Sequence, residues 1–138
     1  MAGLKSLVER HYAFGNAGDL GSDRALFGED VVTVVPGMEP MAGIDAFHAF
    51  TQAFLTAFPD MNIRMTSSIE SGDAIAVEGI LSGTHRGPMQ TPAGELPPTG
   101  KRIELPFTDI FEIQDGWVKS HRVYYDQLTF LRQLGVMP

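Results

Sequence analysis

Residues 101–126 read KRIELPFTDIFEIQDGWVKSHRVYYD, and the reading of this stretch decides the fold. Apolar and polar residues alternate on both sides of Asp115-Gly116, a dipeptide favoured in two-residue hairpins because both turn positions there take a positive φ. Two long antiparallel strands, 101–114 and 117–126, are therefore expected. Pairing Gln114 with Trp117 and carrying the register outward sets Glu112 opposite Lys119, Asp109 opposite Arg122 and Phe107 opposite Tyr124. One face then holds Ile103, Leu105, Phe107, Asp109, Phe111 and Ile113 with Val118, Ser120, Arg122, Tyr124 and Asp126. The other holds Glu104, Thr108, Ile110, Glu112, Lys119, His121, Val123 and Tyr125. The first, more apolar set is expected to face the core. The second suits solvent or a partner subunit, with Trp117, His121, Val123 and Tyr125 as expected contacts of a homodimer.

Upstream of the hairpin the period changes. Leu4, Leu7, Val8, His11 and Tyr12 recur at helical spacing, so residues 2–17 form an amphipathic helix ending near Gly15 and Gly18, with His11 inside its apolar stripe. A short helix at 21–28, capped by Ser22 or Asp23, precedes the β-branched run Val31 to Val35. Phe47, Phe50, Phe54, Leu55 and Phe58 mark the apolar face of a second long helix closed by Pro59. Residues 61–70 then alternate, with Met61, Ile63, Met65 and Ile69 on one side, and Ser71-Gly72-Asp73 turns the chain into a strand over 74–87. A loop rich in Pro and Gly spans 86–100, and 127–134 reads as a closing helix. Helices followed by a meander of antiparallel strands make an α+β fold, in which a curved sheet wraps the two long helices and leaves a cavity where helix and sheet diverge.

The chain has 138 residues, 43% of them hydrophobic, which suits one domain over 1–138. It has no cysteine, which excludes disulfides, thiolate metal sites and thiol nucleophiles. Ten basic against 17 acidic side chains leave a net charge of −7, the wrong sign for a nucleic-acid partner. No apolar run approaches the roughly 18 residues of a membrane span, so a soluble, cytoplasmic protein is expected. GxSxG, GxGxxG, P-loop and HExxH motifs are absent from the sequence, which leaves acid–base chemistry by carboxylate and histidine, or binding without chemistry.

On the inward face the register gathers Asp109, Arg122, Tyr124 and Asp126, and the parity of Ile75, Val77, Gly79 and Leu81 carries on through Gly83 to His85. His11 can reach this cluster from the first helix. A carboxylate among Phe and Ile must be paired, protonated or wetted. Asp126 and His85 are the candidate catalytic pair; Asp109, Arg122, Tyr124, His11, Phe107, Phe50 and Phe54 are candidate substrate contacts. Structural roles fit the same residues: Asp126 stands where it would cap the last helix, and Asp109 with Arg122 would make a cross-strand ion pair. The four histidines are too scattered for an expected metal site.

Several segments in order carry a resemblance: Asn16-Ala17-Gly18-Asp19, Phe50 through Phe58-Pro59-Asp60, Gly83-Thr84-His85-Arg86-Gly87 and Pro97-Pro98-Thr99-Gly100-Lys101. They continue with Asp109 to Ile113, Asp115-Gly116, and Asp126 followed by Leu131-Arg132-Gln133-Leu134-Gly135. Over nearly its whole length the sequence resembles SnoaL-like polyketide cyclases of the NTF2-like superfamily. The resemblance implies a cone of helices closed by a curved sheet, a homodimer, and an intramolecular aldol condensation on a hydrophobic substrate without metal or organic cofactor. It also implies an acid/base aspartate near the end of the last strand, the position of Asp126. Arg122 departs from the tryptophan often found four residues before that aspartate and changes the polarity expected of the pocket. Another reaction of the same fold, isomerisation or epoxide hydrolysis, and a binding or interaction module without catalysis are the alternatives.

Overall fold

The structure, a computed structural model, describes residues 3–91 and 93–137. Helix α1 (Leu4–Ala17) buries Leu7, Val8, His11 and Tyr12 and stops at Gly18, whose φ of 70° places it in the left-handed region. Ala2, the expected first helical residue, lies outside the described residues. Helix α2 is one short turn, Leu20–Arg24, capped by Asp19 rather than by Ser22 or Asp23. Strand β1 (Phe27–Val34) begins earlier than the β-branched run, and β2 (Met41–Ala42) leads into α3 (Ile44–Ala57). Strands β3 (Asn62–Ser71) and β4 (Ala74–Thr84) follow. The segment expected as a loop contains a small hairpin, β5 (Met89–Thr91) and β6 (Gly94–Leu96). Strands β7 (Arg102–Gln114) and β8 (Trp117–Tyr125) and helix α4 (Gln127–Gln133) complete the chain.

The main sheet runs β2-β1-β8-β7-β4-β3, antiparallel throughout except for the parallel pair β1–β8. The expected turn is present: Asp115 and Gly116 both have positive φ, 55° and 82°, as a type I′ hairpin requires. Beyond it the expected register holds for only two pairs, Gln114 with Trp117 and Ile113 with Val118. Glu112 then faces Ser120, leaving Lys119 as the extra residue of a β-bulge, and every later partner moves by one. A one-residue shift exchanges the faces of a strand. His121, Val123 and Tyr125 therefore turn inward and Arg122 and Tyr124 outward, the reverse of the expectation. A second bulge, at Thr66 of β3, sends Ile69 out to 72% exposure although it shares its parity with Met65.

The inner face carries two adjoining cores. One gathers Leu7, Val8 and Tyr12 with Phe27, Phe47, Val77, Phe107 and Phe111; the other gathers Phe58, Met61, Ile103, Leu105, Phe130 and Leu134. Half-buried Ile63, Leu81 and Tyr125 pack against both. Each fully buried aliphatic or aromatic side chain contributes about 1.5–3 kcal/mol, so these sets hold the helices on the sheet. Gly79 is the close approach that lets Phe107 lie across β4: a Cβ there would stand 2.5 Å from the Phe107 ring. Among the described residues no helix is long and apolar enough to cross a membrane.

Candidate functional site

The second residue of β8 after its bulge, His121, and the eighth residue of β7, Asp109, set the centre of the site. Asp109 points inward from β7 between Phe107 and Phe111, and its side chain is only 7% exposed. The Tyr12 hydroxyl, from α1, donates to its Oδ2 at 2.6 Å. Burial foremost, then the Asp109 carboxylate, pushes the Tyr12 phenol far above its ordinary value, so it remains a hydrogen-bond donor. His121 lies with Nε2 3.5 Å from Asp109 Oδ1 and its ring stacked on Phe111 at 4.5 Å. Asp109 Oδ1, both ring nitrogens of His121 and the hydroxyl of Thr33 are buried without hydrogen-bond partners. Thr33 is the neighbour of His121 across β1–β8, so these four orphaned groups sit on one patch of the inner face. Buried polar atoms are nearly always paired, and a cluster that is not marks a place built for something other than stability.

A second buried array adjoins the first. His11 Nδ1 is 2.6 Å from Asp23 Oδ1, and His48 Nε2 is 2.9 Å from Asp23 Oδ2. The His11 ring lies 5.4 Å from that of Tyr12 and 6.0 Å from that of His121. Thus His11 does reach the polar cluster from the first helix, together with Tyr12, Asp23, His48 and His121, which the sequence reading did not assign to it. Among the described residues no group of three or more His, Asp or Glu is placed to hold a metal ion.

The remaining candidates lie elsewhere. Arg122 is on the outer face, bound to Glu112 at 2.8 Å and not to Asp109. Tyr124, 47% exposed, is there too, as is the exposed Trp117. Asp126 is the exposed N-cap of α4, its carboxylate accepting from the backbone N–H of Leu128 and Thr129 and from the Thr129 hydroxyl. Those hydrogen bonds, Thr129's first, hold its carboxyl below the usual range. His85 is fully buried, stacked on Phe58 at 5.3 Å, with Nδ1 accepting from the Thr99 backbone N–H. Burial lowers its pKa by disfavouring the imidazolium. The His85 backbone binds that of Lys101, eight residues along β7 from Asp109, so the two stand roughly 26 Å apart at ~3.3 Å per residue. Asp126, Tyr124 and His85 therefore do not converge on one chamber. Phe107 lies against Tyr12, while Phe50 and Phe54 are half-buried, Phe50 on the core around Asp109 and Phe54 on the core around Phe58.

Around Asp109 the rings of Tyr12, Phe107, Phe111 and His121 close over the place where a cavity was expected. Two concavities lie elsewhere: a groove of about 270 Å³ on the outer face beside Ile80, Pro106 and Tyr124, and a cleft of about 700 Å³ between α2, β1 and the start of β8.

Helices gathered on one face of a curved, mostly antiparallel sheet, with polar groups buried between them, define the NTF2-like α+β cone. More narrowly, residues 5–134 match the SnoaL-like polyketide cyclase family, and the chain belongs to it. A SnoaL-like polyketide cyclase candidate from Jannaschia sp. CCS1 superposes with a TM-score of 0.85 at 22% identity, covering 96% of this chain and 91% of that one. IdmH of Streptomyces antibioticus, a candidate polyketide cyclase, is 27% identical with a TM-score of 0.81 over 96% and 98%. A protein of ketosteroid isomerase-like fold from Catenulispora acidiphila DSM 44928, in complex with trimethylamine, is 16% identical with a TM-score of 0.79 over 96% and 93%. None of the curated proteins matches the chain.

Proposed function

We propose that the chain is a single cofactor-independent catalytic domain, a cytoplasmic homodimer, that moves protons on a hydrophobic carbonyl compound to drive an intramolecular aldol-type ring closure. One observation carries this reading: Asp109 is a carboxylate buried among aromatic rings, with a phenol donating to one oxygen and only the His121 imidazole, 3.5 Å away and not hydrogen-bonded, beside the other. Membership of the SnoaL-like family supports a small-molecule substrate, and the complex of a structural relative with trimethylamine supports a small-molecule ligand.

In this reading Asp109 Oδ1 removes a proton from the carbon between two carbonyl groups, a carbon acid acidic enough for a carboxylate to attack. Once Asp109 has taken the proton and become a weaker acceptor, the single O–H of Tyr12, held protonated by burial, turns from Oδ2 to the enolate oxygen where negative charge gathers. The enolate carbon then bonds to a second carbonyl carbon of the same substrate, folded against it by the apolar walls. Phe50, Ile63, Met65, Leu81 and Tyr125, all half-buried, continue the core outward, and the rings that close over Asp109 must part for a substrate to reach Oδ1. Asp126, the aspartate that the family resemblance nominates, acts as the cap of α4, because both of its oxygens are already engaged there.

The test is loss of deuterium from the central carbon of a deuterated cyclic 1,3-diketone, followed by NMR. The native protein should accelerate the loss, Asp109→Asn should lower it by roughly 10²-fold or more, and Asp126→Asn should leave it in place. A rate in Asp109→Asn equal to the native one, with loss in Asp126→Asn, would return the base to Asp126. A native protein without any acceleration would leave a binding module.

A further inference from the structure

The proton chemistry above uses Asp109 and Tyr12 and leaves the neighbouring array idle. Asp23 is 1% exposed and bonded on both oxygens by histidines from different helices, His11 of α1 and His48 of α3. Burying a carboxylate costs several kcal/mol unless its partners compensate, and apolar packing at this point between helices would serve stability as well. The arrangement therefore calls for a reason beyond holding α2 in place.

Its geometry supplies one. A carboxylate can only accept, so each imidazole must donate the nitrogen that touches it: Nδ1–H from His11 and Nε2–H from His48. This fixes the tautomer of His11 and leaves the lone pair on Nε2, which has no bonded partner among the described residues. That ring sits among the groups of the proposed site, 5.4 Å from the Tyr12 ring, 5.7 Å from Phe111 and 6.0 Å from His121. A carboxylate that orients an imidazole and balances the imidazolium is the second half of an acid–base pair.

We propose that His11, oriented by Asp23, is the proton store of the inner site, taking the proton from Asp109 and delivering it to the product oxygen. The inference rests on the proton-transfer reading above. Proton removal and delivery occur at different atoms of the substrate, and Tyr12, held protonated, hydrogen-bonds without surrendering its proton. The proton passes from carbon to Asp109, then across the cluster, where His121 Nε2 stands 3.5 Å from Asp109 Oδ1 and its ring 6.0 Å from that of His11, to His11 Nε2, and from His11 Nε2 to the alkoxide formed when the new carbon–carbon bond closes. Asp109 and His11 end as they began, and no oxidant or co-reactant is consumed. Asp23 and His48 are positioning residues, His48 occupying the oxygen that His11 does not. The substrate class is thereby narrowed to compounds carrying an acidic carbon and an acceptor carbonyl in the same molecule.

Two measurements test this. The first is the long-range 1H–15N spectrum of the imidazoles in the native protein, which needs no substrate. The expected result is His11 protonated on Nδ1 with its lone pair on Nε2. That state should be kept in His48→Gln, whose amide N–H can take over the bond to Asp23. In Asp23→Asn, where one oxygen and one NH2 must serve two imidazoles, one of the two histidines should change tautomer. A native His11 protonated on Nε2 alone overturns the proposal. The second is deuterium loss from the cyclic 1,3-diketone, where His11→Gln and Asp23→Asn should each slow exchange with solvent by roughly 10²-fold. Native-like exchange in a folded His11→Gln overturns the proton store while the function of Asp109 stands. Absence of exchange in the native protein overturns the proposed function, and the store with it, even if the His11 tautomer is as expected.

Discussion

A carboxylate that caps a helix and one that takes a proton from carbon need different surroundings, and Asp126 and Asp109 illustrate the difference. At Asp126 the α4 N–H groups and the Thr129 hydroxyl favour the charged form, and the folded pKa is depressed. The sign follows: its stabilisation is present above the unfolded value near 3.8 and is lost as the pH falls through the lower folded value. Asp126→Ala should therefore lower the melting temperature at neutral pH and flatten the acid limb of the stability curve. Asp126→Asn should keep most of the neutral-pH stability, since Asn caps about as well. Thermal unfolding followed by circular dichroism across the acid range checks both. Tyr12 titrates in the opposite sense. Its folded pKa is raised, so its contribution is fully present below the unfolded value near 10 and declines as the pH rises above it. Tyr12→Phe, which leaves Asp109 Oδ2 unpaired, should cost about 1.5–3 kcal/mol in urea denaturation at neutral pH. In the native protein, phenolate absorbance should stay incomplete in alkali until the fold melts.

At the scale of elements, the alternation along β7 and the Asp115-Gly116 turn were legible because both are local signals. The inward set Ile103, Leu105, Phe107, Asp109, Phe111 and Ile113 is as expected. The bulge at Lys119 was not seen, and it reversed every residue after it on β8. A signal was present: His121, Val123 and Tyr125 are together more apolar than Ser120, Arg122 and Tyr124, and the inner face would have preferred the first set had a shift been allowed. The same device at Thr66 put Ile69 outside. Long-range partners were still less accessible, since nothing in the spacing of His11, Asp23 and His48 shows that three helices bring them to one carboxylate. The bulge can be tested by deleting Lys119. Removing it leaves Val118 opposite Ile113, Ser120 opposite Glu112 and His121 opposite Phe111 in an unbroken ladder, so His121, Val123 and Tyr125 should still face inward. Arg122 then stays outside beside Glu112, and the deletion should change stability by about 1 kcal/mol or less. The measurement is urea unfolding, and a loss of roughly 3–5 kcal/mol, the cost of an unpaired guanidinium forced into the core, would mean that the strand had slipped to the other register.

For the molecule as a whole, the reversal on β8 also moves the proposed dimer surface. His121, Val123 and Tyr125, expected there, lie on the inner side, whereas Trp117 remains outside. The outer face of the sheet instead presents Ile80, Pro106 and Tyr124 around the groove of about 270 Å³, with Glu78 and Thr108 in its lining, and further along β7 Ile110 beside the Arg122–Glu112 ion pair. Such a face sets apolar side chains among charged ones that can meet their opposites on a second copy about a two-fold axis. A stable pair would need about 1,200–2,000 Å² of total buried area. The expected result is a dimer by light scattering at micromolar concentration. Ile110→Glu places a charge at the centre of the contact, on the side of β7 away from Asp109, and should give a monomer with unchanged circular dichroism. Because the groups proposed for proton transfer all come from one copy, that monomer should still exchange the diketone label. A monomeric native protein would remove the interface. Exchange lost on dissociation would mean instead that the sheet needs its partner to hold β7 and β8 in the register that brings Asp109 and His121 together.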